Sequence, residues 1–468
     1  MECANWARVT PGLSPRAIWA PAETELRQGL APVTLAELRQ FRREGAIVDA
    51  MSQDGFALAV MDAIAREARL PVEHGEIRFI KTTGYEETAV PERLTVRRAG
   101  TEQSNSSVFF DDFGMLKLYR RLEPGPHPEI EMSRFLVERA GFANTPPPLA
   151  TIELSLDGET EPQTIALGVL FGFVRNQGDG WSQALNYLTR YLDDALISHD
   201  ERSSELPDPD LFFLALARQV GIRTAEMHRA LAERGGADPD FAPEPITRAD
   251  VADWRAALET EASAMLTKLE RTRLPDRARE RAEQLLSRRD RLLALIRDLL
   301  PDAVTAQKTR LHGDYHLGQV IVVKNDFFIV DFEGEPSRAL AARRTKSSPL
   351  RDVAGMIRSF DYAAVTAVRQ LADTRAAAEP RMVQLAESWR QRAVDGFRAA
   401  YRKTMRGCAA YPASKKEARE MTAFFTLEKA VYEVSYELAN RPQWVDIPLD
   451  GILGILNKTK AGAGGEAH

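Results

Sequence analysis

The stretch LHGDYHLGQVIVVKNDFFIVDFEGE, residues 311–335, places several polar side chains around two apolar runs. QVIVV and FFIVDF have the pattern of two strands, and the turn-type residues KND between them predict a β-hairpin. Asp314 and Gln319 come before or at the start of the first strand, and Asp331 ends the second. Because the open ends of a hairpin are neighbours, we expect Gln319 and Asp331 to converge. Their oxygens would suit Mg²⁺, and Asp314 on the entering loop could face the same cleft as a general base.

A second interpretation of the same stretch is a buried polar hairpin in an α/β core. That interpretation must place three hydrogen-bond acceptors at one end of a hairpin whose motif has no basic partner. Such a cluster is costly to bury unless a cation neutralises it, so the sequence favours the metal site.

The elements that must position these residues change along the chain. Short β-type runs separated by turn residues extend from about 75 to 172, and one helix is predicted over 129–139. Residues 34–70 carry helical spacing, whereas residues 1–30 form a Pro- and Ala-rich lead-in without a pattern. Beyond Trp181 the chain is predicted to be mostly helical, with helices over 181–198, 209–233, 248–270, 276–299, 350–372, 381–406 and 414–440.

Composition limits the classes of protein that the chain can represent. Of 468 residues, 44% are hydrophobic and 28% charged, as in an ordinary globular protein. The net charge of −6, without a basic block, makes a nucleic-acid partner unexpected. Two distant cysteines argue against disulfides and fit a cytoplasmic protein. No apolar run reaches the ~20 residues of a membrane span, and the first residues lack a signal-peptide pattern, so no membrane association is expected.

The hairpin spacing resembles the catalytic and metal-binding loops of the protein-kinase fold. The motif is HGD at 312–314, an amide five residues after its Asp, and DFE at 331–333. HGD in place of HRD, Gln in place of Asn and DFE in place of DFG resemble small-molecule kinases of the aminoglycoside-phosphotransferase type. The resemblance implies an α+β, bilobal protein-kinase-like fold with ATP and Mg²⁺ as cofactors.

This fold requires a lysine on a strand of the small lobe, paired with a helical glutamate, to hold the α- and β-phosphates of ATP. FFDDFGMLKLYR supplies Lys117 within an apolar run, where an unpaired lysine would be expensive. HPEIEMSRFL supplies the carboxylate, for which Glu131 is the first choice and Glu129 and Glu138 are the alternatives. A lysine that merely extends its charge from a strand edge to solvent is the ordinary alternative.

The remaining ATP contacts are predicted on either side of Lys117 in the small lobe. No GxGxxG precedes it, but a turn of small residues with Ser104 and Ser106 could bind phosphate oxygens. Clusters of this kind are more often plain turns. Backbone groups around Phe171–Val174, in GVLFGFVRNQGDGW, are predicted to meet the adenine.

A more specific resemblance covers about residues 95–455. The segments LKLYRRLEPGPHPEIE, FVRNQGDGW, RTAEMHRAL, HGDYHLGQV, SPLRDVAGMIRSFDYAA and EKAVYEVSYELANRPQW together resemble the bacterial maltokinases, in particular the form fused to trehalose synthase. The implied domains are a lead-in and cap subdomain at 1–94, an ATP-binding N-lobe at 95–178, a helical C-lobe at 179–460 and a tail at 461–468. An association with a trehalose synthase is a further expectation.

The resemblance implies transfer of the γ-phosphoryl group of ATP to the anomeric hydroxyl of maltose, in α-glucan (glycogen) synthesis. Asp314 would accept the hydroxyl proton, Gln319 and Asp331 would bind Mg²⁺, and Lys117 would hold ATP. The sugar would meet the helix EKAVYEVSYELANR, where a core-packing tyrosine stripe is the ordinary alternative. The residues predicted to bind sugar are His316, Lys429, Tyr432, Glu433, Tyr436 and Arg441.

Three further residues are expected to support the catalytic loop. His312 would brace it, and His316 either contacts the sugar or braces it as well. In RDVAGMIRSFDYA, Asp352 either anchors the loop by accepting backbone N–H bonds or is a solvated acid of a helix N-terminus. Val353, Met356, Ile357 and Phe360 form the apolar face of that helix.

Two other functions fit the same motifs. One is another small-molecule kinase, above all a glucosamine kinase, whose catalytic-loop pattern is similar. The other is a nucleotide-binding scaffold that has lost catalysis, against which the complete set of Lys117, Asp314, Gln319 and Asp331 argues.

Overall fold

A computed structural model describes residues 17–21, 34–40, 43–98, 105–158, 163–197, 211–236 and 238–462. The chain divides into two compact units. The first comprises Met1–Arg139 and Thr145–Arg175, and the second comprises Ala140–Asn144 and Asn176–His468.

The first unit is built mainly of strands. They are β1 (Ala17–Pro21), β2 (Thr34–Gln40), β3 (Arg43–Asp49), β4 (Arg69–Val72), β5 (Gly75–Lys81), β6 (Val96–Arg98), β7 (Ser106–Phe110), β8 (Gly114–Leu118), β9 (Pro148–Leu156) and β10 (Gln163–Gly172). Strands β4 to β10 form one antiparallel sheet in the order β4-β5-β9-β10-β8-β7-β6. Alternate residues such as Val108, Phe110 and Leu116 enter its core, as the two-residue period of a strand requires. The predicted strand-rich small lobe is therefore confirmed.

Within its described residues, the first unit also contains three α-helices: α1 (Asp54–Ala65), α2 (Thr83–Glu86) and α3 (Pro128–Arg134). Pro128 occupies the first turn of α3, where its missing N–H costs nothing. A π-helical turn over Phe135–Arg139 continues α3, so the helix predicted over 129–139 is confirmed.

The segment before residue 94 differs from the prediction in three respects. Helical spacing over 34–70 holds only for α1, since β2 and β3 occupy Thr34–Gln40 and Arg43–Asp49. The lead-in contains β1, which pairs with β3. Strands β4 and β5 belong to the seven-stranded sheet, so no break in that sheet falls at the predicted boundary. Pairing between strands overrode local helical propensity here.

The second unit is mostly helical, as predicted. Its helices are α4 (Gly180–Ile197), α5 (Leu211–Glu233), α6 (Arg248–Arg271), α7 (Asp276–Leu286), α8 (Arg289–Asp298), α9 (Leu340–Arg343), α10 (Leu350–Arg375), α11 (Glu379–Thr404), α12 (Lys415–Asn440) and α13 (Asp446–Gly462). The helix predicted over 276–299 is interrupted, because Arg288 has φ −113° and ψ 19° and separates α7 from α8. Helix α13 was not predicted.

Helices α10 and α12 carry residues of the site described below, and α10 packs against a buried apolar core. Val353, Met356, Ile357 and Phe360 of α10 are all buried, which confirms its predicted apolar face. The Phe360 ring lies 6.2 Å from that of Trp389 on α11, centroid to centroid. Polar side chains on the other faces of α10 are thereby held in fixed positions.

In the part of the second unit that the structure describes, four short strands interrupt the helices: β11 (Glu244–Pro245), β12 (Gln307–Lys308), β13 (Val320–Val323) and β14 (Asp326–Ile329). β13 and β14 pair antiparallel, with Val320 opposite Ile329 and Val323 opposite Asp326, which confirms the predicted hairpin. Among the described residues, none of the helices combines the length and apolar character needed to cross a bilayer. The cytoplasmic location stays a prediction.

Candidate active site

The open end of the β13–β14 hairpin brings the two predicted metal ligands together. Gln319 ends a 3₁₀ turn directly before β13, and its Nε2 donates a hydrogen bond to Asp331 Oδ2 at 2.8 Å. The Val330 N–H also donates to the Gln319 carbonyl at 3.0 Å. Asp331 lies beyond the strand rather than ending it, since β14 stops at Ile329. The predicted convergence of Gln319 and Asp331 is confirmed.

The chemistry of this end of the hairpin fits a hard divalent cation. With Nε2 of Gln319 donating to Asp331, the remaining polar atom of the amide is its oxygen, which is the atom that Mg²⁺ prefers. Glu333 is buried, and one of its carboxylate oxygens lies within 4.8 Å of a carboxylate oxygen of Asp331. Sequence reasoning did not single out Glu333, although the DFE motif contains it.

The turn at the other end of the hairpin is fixed to helix α5. Asp326 accepts hydrogen bonds from Arg223 Nε at 2.8 Å, Arg223 Nη2 at 2.6 Å and Gln219 Nε2 at 2.9 Å. Partial burial opposes ionisation, but the hydrogen bonds from Arg223 and Gln219 outweigh it and lower the pKa of Asp326 to about 2. The hairpin is therefore anchored at its turn as well as at its open end.

Asp352, at the start of α10, anchors the HGD loop. Its Oδ2 accepts the His312 N–H at 2.9 Å and its Oδ1 accepts the Gly313 N–H at 3.0 Å. His228 Nε2 lies 3.1 Å from the same Oδ2, and His228 Nδ1 lies 2.9 Å from the Tyr401 hydroxyl. Burial would raise the pKa of Asp352, but its hydrogen bonds and the nearby His228 lower it overall. Anchoring of the loop is confirmed, and the solvated-acid interpretation is wrong.

The conformation of the HGD loop and its contact with α10 each depend on a glycine. Gly313 has φ +86°, in the left-handed region that side chains disfavour. Gly355 of α10 faces the loop so closely that a Cβ there would lie 2.6 Å from the Tyr315 carbonyl oxygen. The loop can therefore lie directly on the helix that anchors it.

The two histidines of the loop have different surroundings. His312 Nε2 lies 2.9 Å from the Val330 carbonyl oxygen, which ties the loop to the hairpin as predicted. His316 Nδ1 accepts the Gly318 N–H at 3.0 Å, and its Nε2 lies 4.0 Å from Asp314 Oδ2. Desolvation lowers the pKa of His316 although Asp314 opposes the shift, so the neutral ring is favoured. These contacts support bracing of the loop; contact with a sugar stays a prediction.

Asp314 faces a pocket of the second unit together with two of the predicted sugar-binding residues. Lys429 Nζ lies 3.4 Å from Asp314 Oδ1 and 4.9 Å from the centre of the Tyr432 ring. Burial lowers the pKa of Lys429, but Asp314, Glu433 and Glu335 raise it overall, so the ammonium form is favoured. The side chains lining this pocket include Asp314, Glu335, Arg338, Arg351, Lys429 and Tyr432.

The other residues predicted to bind sugar on α12 and directly after it lie outside the lining of this pocket. Glu433 is buried and accepts a hydrogen bond from Arg358 Nε at 2.8 Å, and its role in sugar binding stays a prediction. Tyr436 is 43% exposed and its ring stacks on that of Tyr432 at 6.3 Å. Arg441 Nη2 pairs with a carboxylate one turn earlier on α12, at 2.8 Å. Roles of Tyr436 and Arg441 in sugar binding stay predictions.

In the first unit, the predicted ATP lysine has a buried carboxylate partner. Lys117 Nζ on β8 lies 2.9 Å from Glu129 Oε1 on α3, and the Tyr119 hydroxyl donates to Glu129 Oε2 at 2.8 Å. The choice of Glu131 as this partner is therefore corrected to Glu129, one of the alternatives. Two residues along a helix correspond to a rotation of about 200°, so Glu129 and Glu131 point to nearly opposite sides.

We expect Glu129→Gln to destabilise the protein by about 3 kcal/mol, because the change removes the carboxylate that pairs with the buried Lys117 ammonium at 2.9 Å. ATP affinity should fall as well, since the lysine loses the group that orients it. Chemical denaturation and calorimetric titration with ATP measure the two effects. Glu131→Gln, on the same helix, is the matched control and should change both far less; equal losses in the two variants would contradict the assigned pair.

The remaining residues predicted to contact ATP belong to β7, to β10 and to the segments beside these strands. Ser106 begins β7 and is buried, and its hydroxyl oxygen lies 3.4 Å from Arg120 Nη2. Ser104 lies outside the described residues. Phe171 is a buried residue of β10, opposite Met115 of β8, and Val174 follows the end of that strand. Phosphate and adenine binding at these positions stay predictions.

Comparisons with known proteins agree with this geometry. Residues 214–382 match the model of the phosphotransferase enzyme family, APH. The chain is 27% identical to a glucosamine kinase of Mycolicibacterium smegmatis over 414 residues, which cover 86% of this chain and 89% of that protein. A glucosamine kinase of Streptacidiphilus jiangxiensis is 27% identical over 354 residues, covering 74% and 70%.

The fold agrees with a solved structure of the same group. A glucosamine kinase in complex with glucosamine, ADP and inorganic phosphate superposes with a TM-score of 0.65 and 23% identity, covering 91% of this chain and 92% of that one. The predictions of a bilobal kinase-like fold and of a phosphotransferase enzyme are confirmed. The phosphotransferase model matches residues 214–382, and the chain as a whole has the kinase-like fold of the solved glucosamine kinases.

Proposed function

We propose that the chain is an ATP-dependent sugar kinase that phosphorylates the anomeric hydroxyl of maltose, giving maltose 1-phosphate and ADP. The kinase-like fold, the family match and the sugar kinases among its relatives support the reaction class. The single observation that carries the choice of a neutral acceptor is the Lys429 ammonium, 3.4 Å from Asp314. An ammonium group in direct contact with Lys429 would be repelled by this cation, whereas a neutral hydroxyl could accept a hydrogen bond from it.

Asp314 is proposed to accept the proton of the acceptor hydroxyl and to align its oxygen with the phosphorus, a role typically worth ~10²–10⁴-fold in rate. Lys429 contacts Oδ1 of this carboxylate and limits its rotation. Asp352 holds the backbone at His312 and Gly313, so the base enters the pocket from a fixed loop.

Lys117, oriented by Glu129, is proposed to bind the α- and β-phosphates of ATP. Gln319 and Asp331 are the residues that would hold Mg²⁺, which when bound neutralises charge on the phosphates. Association with a trehalose synthase and a place in glycogen synthesis stay predictions.

We expect Asp331→Ala to abolish the dependence of ATP binding on Mg²⁺, because it removes the carboxylate of the metal site. Calorimetric titration with ATP, with and without Mg²⁺, measures this dependence. Binding of ATP in the absence of the metal serves as the internal control and should be retained. An undiminished response to Mg²⁺ would place the metal elsewhere.

The proposed acceptor is tested by release of ADP in a coupled assay with maltose, glucose, glucosamine and an aminoglycoside. Turnover with maltose supports the proposal. Turnover with glucosamine alone would reject maltose in favour of the activity named for the relatives. Retained binding of MgATP without turnover of any acceptor would favour the nucleotide-binding scaffold.

A further inference from the structure

The residues behind Lys429 form a buried ion pair that the proposed reaction does not explain. Glu433 of α12 accepts a hydrogen bond from Arg358 Nε of α10 at 2.8 Å, and Arg358 Nη1 donates to Asp361 Oδ2 at 2.6 Å. Both Glu433 and Arg358 are buried. Burial of a charged pair is costly and is weak evidence of a stabilising role, which raises the question of what the pair does.

Helical geometry connects this pair to the pocket. Glu433 lies four residues after Lys429 on α12, so the two side chains occupy the same face, one turn apart. Lys429 Nζ in turn lies 3.4 Å from Asp314 Oδ1. The charges thus alternate from Arg358 through Glu433 and Lys429 to Asp314: the first and last pairs are in contact, and Glu433 acts on Lys429 through its electrostatic field.

The charged groups that face Lys429 come from three segments. Asp314 and His316 belong to the HGD loop, Glu335 follows the hairpin, and Glu433 lies on the same helix as the lysine. Asp314, Glu433 and Glu335 each raise the pKa of Lys429 against the effect of burial. Glu433 is the only member of this set with its own buried arginine partner among the ion pairs described for the second unit.

We propose that Glu433 and Arg358 are positioning residues for the catalytic base. Arg358 fixes the Glu433 carboxylate, and that carboxylate holds the Lys429 ammonium against Asp314. The inference rests on the proposed function, since it assigns Asp314 as the base. It gives Glu433 a role other than the predicted sugar contact.

The first experiment does not depend on activity. The protein is labelled with [ε-¹³C]lysine, the Lys429 resonance is assigned by its absence in Lys429→Met, and its titration is followed by NMR. Loss of the Glu433 anion, which raises the pKa of Lys429, is expected to lower the midpoint of Lys429 by about 1 pH unit in Glu433→Gln. Asp361→Asn is the matched control, because it removes the other carboxylate on Arg358, and the midpoint should be retained. An unchanged midpoint in Glu433→Gln would overturn the proposal.

If Glu433→Gln does not fold, a more conservative variant, Glu433→Asp, tests the same proposal. Glu433→Asp keeps the charge but withdraws it by one methylene, so the Lys429 midpoint should fall by less and in the same direction. If Glu433→Asp folds and the midpoint does not move, the proposal is rejected.

The second experiment measures turnover with whichever sugar the unaltered protein phosphorylates. Glu433→Gln should lower kcat with little effect on the KM for ATP, and Glu433→Asp should recover part of the loss. In the double variant with Lys429→Met, kcat should fall no further than in Lys429→Met alone, because both changes remove the same contact. If the losses in kcat of the two single variants add up in the double variant, Glu433 does not act through Lys429 and the proposal is rejected. Absence of turnover with every sugar would reject the proposed function, and the NMR titration would still decide this inference.

Discussion

Replacing Asp314 by asparagine is expected to lower kcat by ~10²–10⁴-fold while MgATP binds as before. Asparagine has nearly the same shape, and its amide oxygen can still accept a hydrogen bond from Lys429, but it cannot take up a proton from the sugar hydroxyl. The pocket geometry and the anchored loop should persist. The loss should therefore appear in the chemical step and not in the binding of nucleotide.

Single-turnover kinetics separates the chemical step from product release, and calorimetry measures the affinity for MgATP. Asp331→Ala provides the contrast, because it should impair metal-dependent nucleotide binding before the chemical step is reached. Full turnover in Asp314→Asn would show that the base has been assigned to the wrong residue.

The second large effect is expected at Asp352. Asp352→Ala leaves the buried backbone N–H of His312 and the partly buried N–H of Gly313 without their acceptor, and removes the partner of His228. Removing one partner from a buried charged network typically costs about 3–5 kcal/mol in unfolding free energy. We also expect loss of turnover, since the loop that carries Asp314 loses its anchor.

Chemical denaturation measures the stability of this variant. Asp290→Ala is the matched control, because Asp290 is an exposed acid in the first turn of α8, and its loss should cost no more than about 1 kcal/mol. Equal effects in the two variants would mean that Asp352 is only a helix-terminal acid.

The same residue predicts how stability depends on pH. Because the pKa of Asp352 is lower in the folded protein than in the unfolded chain, the unfolded state binds more protons in acid. The contribution of Asp352 is complete above the unfolded pKa of about 3.9 and is lost as pH falls through the folded pKa. Stability of Asp352→Asn should consequently decline less steeply below about pH 4 than that of the unaltered protein.

Much of the site was predictable because its residues are close in sequence. Gln319 and Asp331 are joined by a short hairpin, so antiparallel pairing alone brings them together. The periodic apolar face of α10 likewise predicted a buried helix that begins near Asp352, while the sequence left open whether Asp352 anchors the loop or is a solvated acid. Lys117 in an apolar strand required a carboxylate partner for the same local reason.

Only the tertiary structure decided which carboxylate pairs with Lys117 and which side chain of α12 contacts Asp314. Glu129 and Glu131 are equivalent in the sequence pattern, and the packing of α3 on its sheet selects the side that faces β8. Lys429 reaches Asp314 across 115 positions, and Glu433 reaches Arg358 across 75. The sequence by itself determined the hairpin, the strand-rich and helical units and the residue types of the site. The rotation of each helix about its axis, which assigns those residues their partners, depends on side chains distant in sequence that no local pattern encodes.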